Sequence, residues 1–113
     1  MRYMLMICDD ESDDRGPIEL VRATEHVAWI DYMDRQGIGF LDGVRLRPST
    51  DATKVRCRNG ETLISDGPFM ESKEQIGGFA LIECEHLDDA IEVAARHPYA
   101  AHGVIEIRPV WDE

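Results

Sequence analysis

His26, in the run RATEHVAWIDYM, is the side chain with the most chemistry to offer. Imidazole titrates near neutrality, so a histidine at the edge of an apolar wall can take a proton on one ring nitrogen while a carboxylate fixes the other. His26 shares helical spacing with Arg22, Trp29, Ile30 and Met33, which places such a wall along one stripe of a helix. A structural histidine is satisfied in the same way, so spacing alone leaves both roles open. His86 stands just before a later helix, where it can cap it. His97 precedes Pro98 at that helix's end, where the helix dipole favours a cation, and His102 falls in a loop. His97 and His102 are five apart rather than four, and no cysteine is near either in sequence. Neither a metal site nor a cofactor is expected.

SDGPFMESKEQIGG, residues 65–78, is the second stretch that could line a site. From Gly67 onward it superficially follows the phosphate-binding pattern G-x-x-x-x-G-K-[ST]. Ser72 stands where the second glycine belongs, Glu74 replaces the hydroxyl, and Pro68 removes a needed N–H. A phosphate cradle is therefore excluded. As a turn the stretch makes sense throughout: Asp66 bonds its own backbone, Gly67 accepts a positive φ, and Pro68 fixes the next φ. Phe69 then anchors the corner, residues 71–74 form one helical turn, and Gly77-Gly78 restart a strand. Glu106 and Arg108 share a face of the last strand; Arg108 can hold a carboxylate ligand in bidentate fashion or pair with Glu106. DDESDD, residues 9–14, lacks the glycine and distal glutamate of a calcium loop and reads as a solvated loop.

The elements that must position these residues follow from periodicity. Tyr3 to Cys8 is a short buried strand. Gly16-Pro17 opens a helix that runs to about Gln36 and stops at Gly37. Its two apolar strips, one with Ile18, Val21, Ala28, Trp29 and Tyr32 and one with Leu20, Ala23, Val27 and Ile30, call for two partners to pack against. IGFLDGVRLRPS is a strand bent at Gly43. TKVRCRNGETLIS is a hairpin, because Asn59-Gly60 is the preferred pair for a two-residue type I′ turn. GGFALIEC is a central strand, LDDAIEVAARHP a helix with Asp88 and Asp89 in its first turn, and GVIEIRPV the closing strand.

The order strand, helix, strand, hairpin, strand, helix, strand predicts one domain over residues 1–113, an α+β ferredoxin-like sandwich with an inserted hairpin. Both helices lie on one face of such a sheet. Pairing of two bare faces across a homodimer is the economical cover for the other.

Composition narrows the function classes. With 12 Lys and Arg against 23 Asp and Glu, the formal net charge of -11 disfavours nucleic acid, whose phosphates are bound by cations. The densest basic stretch is Arg45, Arg47, Lys54, Arg56 and Arg58, read as a solvated sheet face. Three widely spaced cysteines, each in an apolar or alternating run, read as buried free thiols of a reducing cytoplasm. The apolar run near the N-terminus, Met4 to Cys8, is too short for a membrane span and lacks a signal-peptide cleavage site, so a soluble cytoplasmic protein is expected.

SDGPFMESKEQIGGFALIE resembles the signature of the DGPF-domain, YCII-related family of small bacterial proteins. RYMLMI, TKVRCRNGETLISDGPF, LDDAIEVAARHP and VIEIRPV are similar to its first strand, hairpin, second helix and last strand. The resemblance implies a dimeric α/β-barrel of ferredoxin-like halves, with a pocket between helix and sheet for a small organic ligand. It further implies an acid–base pair, as proposed for the YciI-like branch: His26 matches the histidine, while Asp66 and Asp42 both match the aspartate, Asp66 being preferred. Arg22, Trp29, Gly67, Pro68, Phe69 and Arg108 would then line the ligand site. The second function the resemblance implies is non-catalytic: an accessory dimer that meets a basic protein partner in sigma-factor-dependent transcription.

Overall fold

Residues 1–10, 23–67 and 74–112 are described by the computed structural model of the chain. The alternation of the N-terminal run makes β1, Arg2–Asp10, with Tyr3 and Leu5 buried and Met4 and Met6 half-buried. α1, Ala23–Arg35, ends as its terminal glycine requires. Ile38 N–H reaches back to the Met33 carbonyl (2.9 Å) and Gly37 N–H to that of Asp34 (3.1 Å), satisfying two of the last carbonyls. The expected start of this helix at Gly16-Pro17 and the acidic run from Glu11 lie outside the described residues. Of its two apolar strips, Trp29 and Tyr32 of the first and Ile30 of the second pack on the protein's own core, while Ala28 and Val27 are exposed.

β2, Gly39–Arg45, is followed by a 3-10 turn at Ser49–Asp51. β3, Thr53–Arg58, and β4, Glu61–Asp66, form the hairpin, with Asn59 and Gly60 at φ 53° and 78° as a type I′ turn demands. β5, Glu74–Glu83, α2, Leu87–Ala95, and β6, Val104–Pro109, complete the chain. Glu74 begins β5, so the helical turn expected over 71–74 does not extend to it. The Asp89 carboxylate accepts from His86 N–H (3.2 Å) at the start of α2.

The main sheet has the order β2-β5-β1-β6, and every neighbouring pair is antiparallel. Leaving out the hairpin, this is the ferredoxin-like order, so the α+β sandwich with an inserted β3–β4 ribbon is the observed fold. The bend foreseen at Gly43 falls earlier: Leu41 is an extra residue between the Phe40–Ile82 and Asp42–Leu81 pairs. A second register shift, between Ile7 and Cys8 of β1, leaves Gly77 of β5 without an opposite residue.

The core lies between one sheet face and the two helices. Tyr3, Leu5, Ala80 and Ile82 from the sheet meet Trp29 and Met33 of α1 and Ala90 and Val93 of α2. Pairs directly opposite in an antiparallel ladder share a face, so Met4, Met6, Phe79 and Leu81 lie together on the other one. No described element covers that side. The hairpin stands apart from the core: Val55 and Ile64, which pair across it, are 60% and 70% exposed.

Cysteine usage differs from expectation in one place. Cys84 is buried, and burial pushes its thiol up, helped by the Asp89 charge, while Cys8 is half-buried. Cys57, however, is exposed on the hairpin, because a ribbon with no layer against either face has no interior.

Candidate functional site

The stripe read from α1 becomes one wall of an open hollow of about 710 Å³. His26, Val27, Trp29 and Ile30 face it from the helix, Ile7 and Asp9 from β1, Phe40 and Arg45 from β2, and Gly77, Gly78 and Ala80 from β5. The fourth side comes from the segment between α2 and β6, through His97 and Tyr99. The lining is largely apolar and aromatic, with a few polar groups, as small-molecule sites generally are.

Those polar groups are held in place. Asp9 is only 4% exposed, and the Tyr99 hydroxyl donates to its Oδ1. A buried carboxylate left without a donor would cost several kilocalories per mole, so this bond joins the end of β1 to the connection before β6. His97 is 9% exposed, and its Nδ1 accepts from Tyr99 N–H (3.0 Å). That acceptance puts the ring's proton on Nε2. Trp29 packs edge to face on His97, centroids 4.6 Å apart, and its indole N–H donates to the Val93 carbonyl (2.9 Å). Burial first, and then the neighbouring His26, push the His97 pKa down to about 4. The expected cation at the end of α2 is therefore a neutral imidazole, since desolvation outweighs the helix dipole there.

His26 itself is exposed at the mouth, its ring centroid 5.8 Å from Trp29 and 6.4 Å from His97. It faces the hollow as the helical spacing requires, yet no described carboxylate bonds it. Asp66 ends β4 on the exposed hairpin, and Asp42 caps its own neighbour, accepting from Gly43 N–H (2.8 Å); neither lines the hollow. Gly67 has the foreseen positive φ, 94°, and its N–H closes the hairpin base on the Ala52 carbonyl (2.8 Å), also away from the hollow. Arg108 lies on the sheet face opposite the helices, 3.6 Å from Glu106, so the ion-pair reading holds there. Arg22, Pro68 and Phe69 fall outside the described residues. Of the residues read from sequence, the structure thus brings His26 and Trp29 to the hollow. It adds Asp9, His97 and Tyr99, which sequence reasoning assigned to an acidic loop, a helix end and no role.

A second hollow of about 670 Å³ lies beside the chain's first residue, between the ends of α1 and α2. Glu83, Glu85, Asp89 and Glu92 line it. Arg96 bonds Glu92 (3.0 Å) and lies over the Tyr32 ring (4.4 Å). Among the described residues no three His, Cys, Asp or Glu side chains are placed to hold a metal ion, and no helix is long and apolar enough to cross a membrane.

Known proteins agree with this architecture. An uncharacterized protein of Rhizobium meliloti (strain 1021) is 46% identical over 68 residues, 58% of this chain and 55% of that protein, so the chain spans about half the length of this relative. A solved structure, 5-chloro-2-hydroxyhydroquinone dehydrochlorinase from Burkholderia phenoliruptrix AC1100 in complex with 2,5-dihydroxybenzoquinone, superposes with a TM-score of 0.50. It is 15% identical and covers 100% of this chain and 96% of its own, a likeness of fold. The sequence model of the YCII-related domain matches residues 1–113, from the first strand to beyond the last. The chain belongs to the YCII-related domain family.

Proposed function

We propose that the protein binds a small, flat, largely apolar organic ligand in the hollow beside α1 and acts on it by proton transfer, with His26 as the base. The observation that carries this reading is the contrast inside one cavity. An exposed imidazole stands at its mouth, while Asp9, His97 and Tyr99 form a buried, hydrogen-bonded group beside Trp29 and Phe40. A solvated base beside a dry wall can collect a proton from a ligand and release it to water. Among the described carboxylates, Asp9 rather than Asp66 lines the hollow. The bound quinone of the structural neighbour supports starting with planar oxygenated rings.

The test begins with a thermal-shift screen that includes 2,5-dihydroxybenzoquinone, because any ligand that prefers the native state raises the melting temperature. For a hit, proton exchange or turnover should fall about 100-fold or more in His26→Ala, the usual worth of a positioned base, with affinity changed far less. Turnover in His26→Ala equal to that of the parent would sink the reading.

The working unit of this proposal is a homodimer. Half-buried Met4, Met6, Phe79 and Leu81, beside exposed Val44 and Val104, make an apolar strip, bordered by the Glu106–Arg108 pair, that a second copy's equivalent face would cover. Sedimentation should give a dimer at micromolar concentration. Met6→Glu, placing a second negative charge in that face opposite Glu106 and beside Phe79, should shift the species to monomer; a parent that sediments as a monomer contradicts the arrangement.

A further inference from the structure

We infer that His97 is a neutral hydrogen-bond donor that binds the oxygen of an enol or phenol ligand through Nε2–H, and so holds the charge that develops when His26 removes a proton. The inference rests on the proposed reading of the hollow and assigns to a second histidine the half of the chemistry that reading leaves open.

Three observations converge on it. The ring is nine-tenths buried, and its Nδ1 is engaged by Tyr99 N–H at 3.0 Å, which leaves the proton on Nε2. No described residue bonds Nε2, although among the described residues no fully buried side-chain nitrogen or oxygen lacks a partner. His97 lines the hollow, and its Nε2–H is a donor that no described residue engages. Third, the ring cannot turn away. Trp29 packs on it at 4.6 Å, and Trp29 is itself pinned by its bond to the Val93 carbonyl.

The two imidazoles stand in different surroundings, and that difference divides their roles. His26 is solvated and can carry a proton; His97, its pKa pushed down to about 4 by burial and by His26, stays neutral at physiological pH. A neutral donor suits an oxygen that becomes anionic, since it does not surrender its proton outright. The centroid separation of 6.4 Å lets one small molecule present adjacent atoms to both rings. In the step itself a ligand C–H or O–H bond breaks and the proton passes to His26. From O–H the bonding pair stays on the ligand oxygen; from a C–H next to a carbonyl it forms the enolate C=C bond while the carbonyl π pair moves onto the oxygen. In both cases Nε2–H of His97 donates to that oxygen. Return of the proton from His26 reverses or completes the transfer, with no oxidant or reductant consumed.

The test uses the whole protein and two probes of the same ring, 4-nitrophenol at a pH that ionises it and 4-nitroanisole, which has no ionisable oxygen. The phenolate should bind about tenfold more tightly than the ether, the worth of one hydrogen bond to a charged oxygen. The His97→Phe variant, which keeps a ring but no donor, should bind both equally. Nitrogen NMR of the free parent should show His97 protonated on Nε2 only, with that proton moving downfield when the phenolate is added. Equal affinity of the parent for both probes overturns the inference and leaves the pocket reading standing; no binding of either probe overturns both. An Nδ1-protonated ring also overturns it. If His97→Phe fails to fold, the parent's Nε2 proton decides: no shift on adding phenolate overturns the inference.

Discussion

Between pH 6.5 and about 4 the protein is expected to lose about 3 kcal/mol of stability through His97 alone. The sign follows from which state holds the proton. In the unfolded chain the imidazole protonates near 6.5, whereas in the native structure burial and His26 hold it neutral down to about 4. Across that window the unfolded state binds more protons, so stability rises with pH. The full contribution is present above 6.5, is lost as the pH falls, and does not change further below about 4. Urea unfolding at a series of pH values measures it directly. The His97→Gln variant, which cannot titrate, should show a flatter acid limb; an unchanged limb in that variant would place the acid sensitivity elsewhere. The same protonation would break the Tyr99 N–H bond to Nδ1, so the connection before β6 should loosen first.

Gly103→Ala should destabilise the protein by about 3 kcal/mol, at the upper end of what overpacking costs. A Cβ at this position would overlap the carbonyl oxygen of Cys8 on the central strand and come within 2.8 Å of the Tyr99 ring. The first obstacle is backbone paired on both sides and cannot yield cheaply. The second is a ring committed to Asp9, so relief by moving Tyr99 strips a buried carboxylate of its donor. The melting temperature and the affinity for any ligand of the hollow should fall together, because Gly103 and the site share Tyr99. A variant as stable as the parent would mean that the close approach of β1 and the 99–103 segment is absent in solution.

Much of the scaffold was legible because its signals are local. Asn59-Gly60 requires positive φ at two successive residues, and almost any tertiary context respects that demand. Gly37 ended α1 for a comparably local reason, and the stripe of His26, Trp29 and Met33 is set by helical geometry alone. The rest of the site was not legible, because its members meet only after the sheet has formed. Asp9 belongs in sequence to a run of acids that reads as solvated, and nothing nearby announces that Tyr99, ninety residues on, will bury and satisfy it. His97 misled for the opposite reason. Its position at the end of α2 predicts a cation, but the desolvation it meets packed against Trp29 is a property of the packed core. Asp66 stands as a partner for His26, ahead of Asp42, only because the family resemblance calls for an aspartate. The ribbon instead stands clear of the hollow, with both its faces open.

The sheet order carries a consequence for how the chain is made. β1 leaves the ribosome ahead of every other described strand, yet its two neighbours are β5 and β6, with Tyr3 opposite Ile82 on one side and Pro109 on the other. That inner strand, rich in methionine, must therefore wait unpaired until β5 has followed it. Such long-range closure is slow and leaves a β-prone segment open to intermolecular pairing. Nascent chains stalled before residue 104 should accordingly depend on holding chaperones, and release on extension through β6 should coincide with the onset of protease resistance.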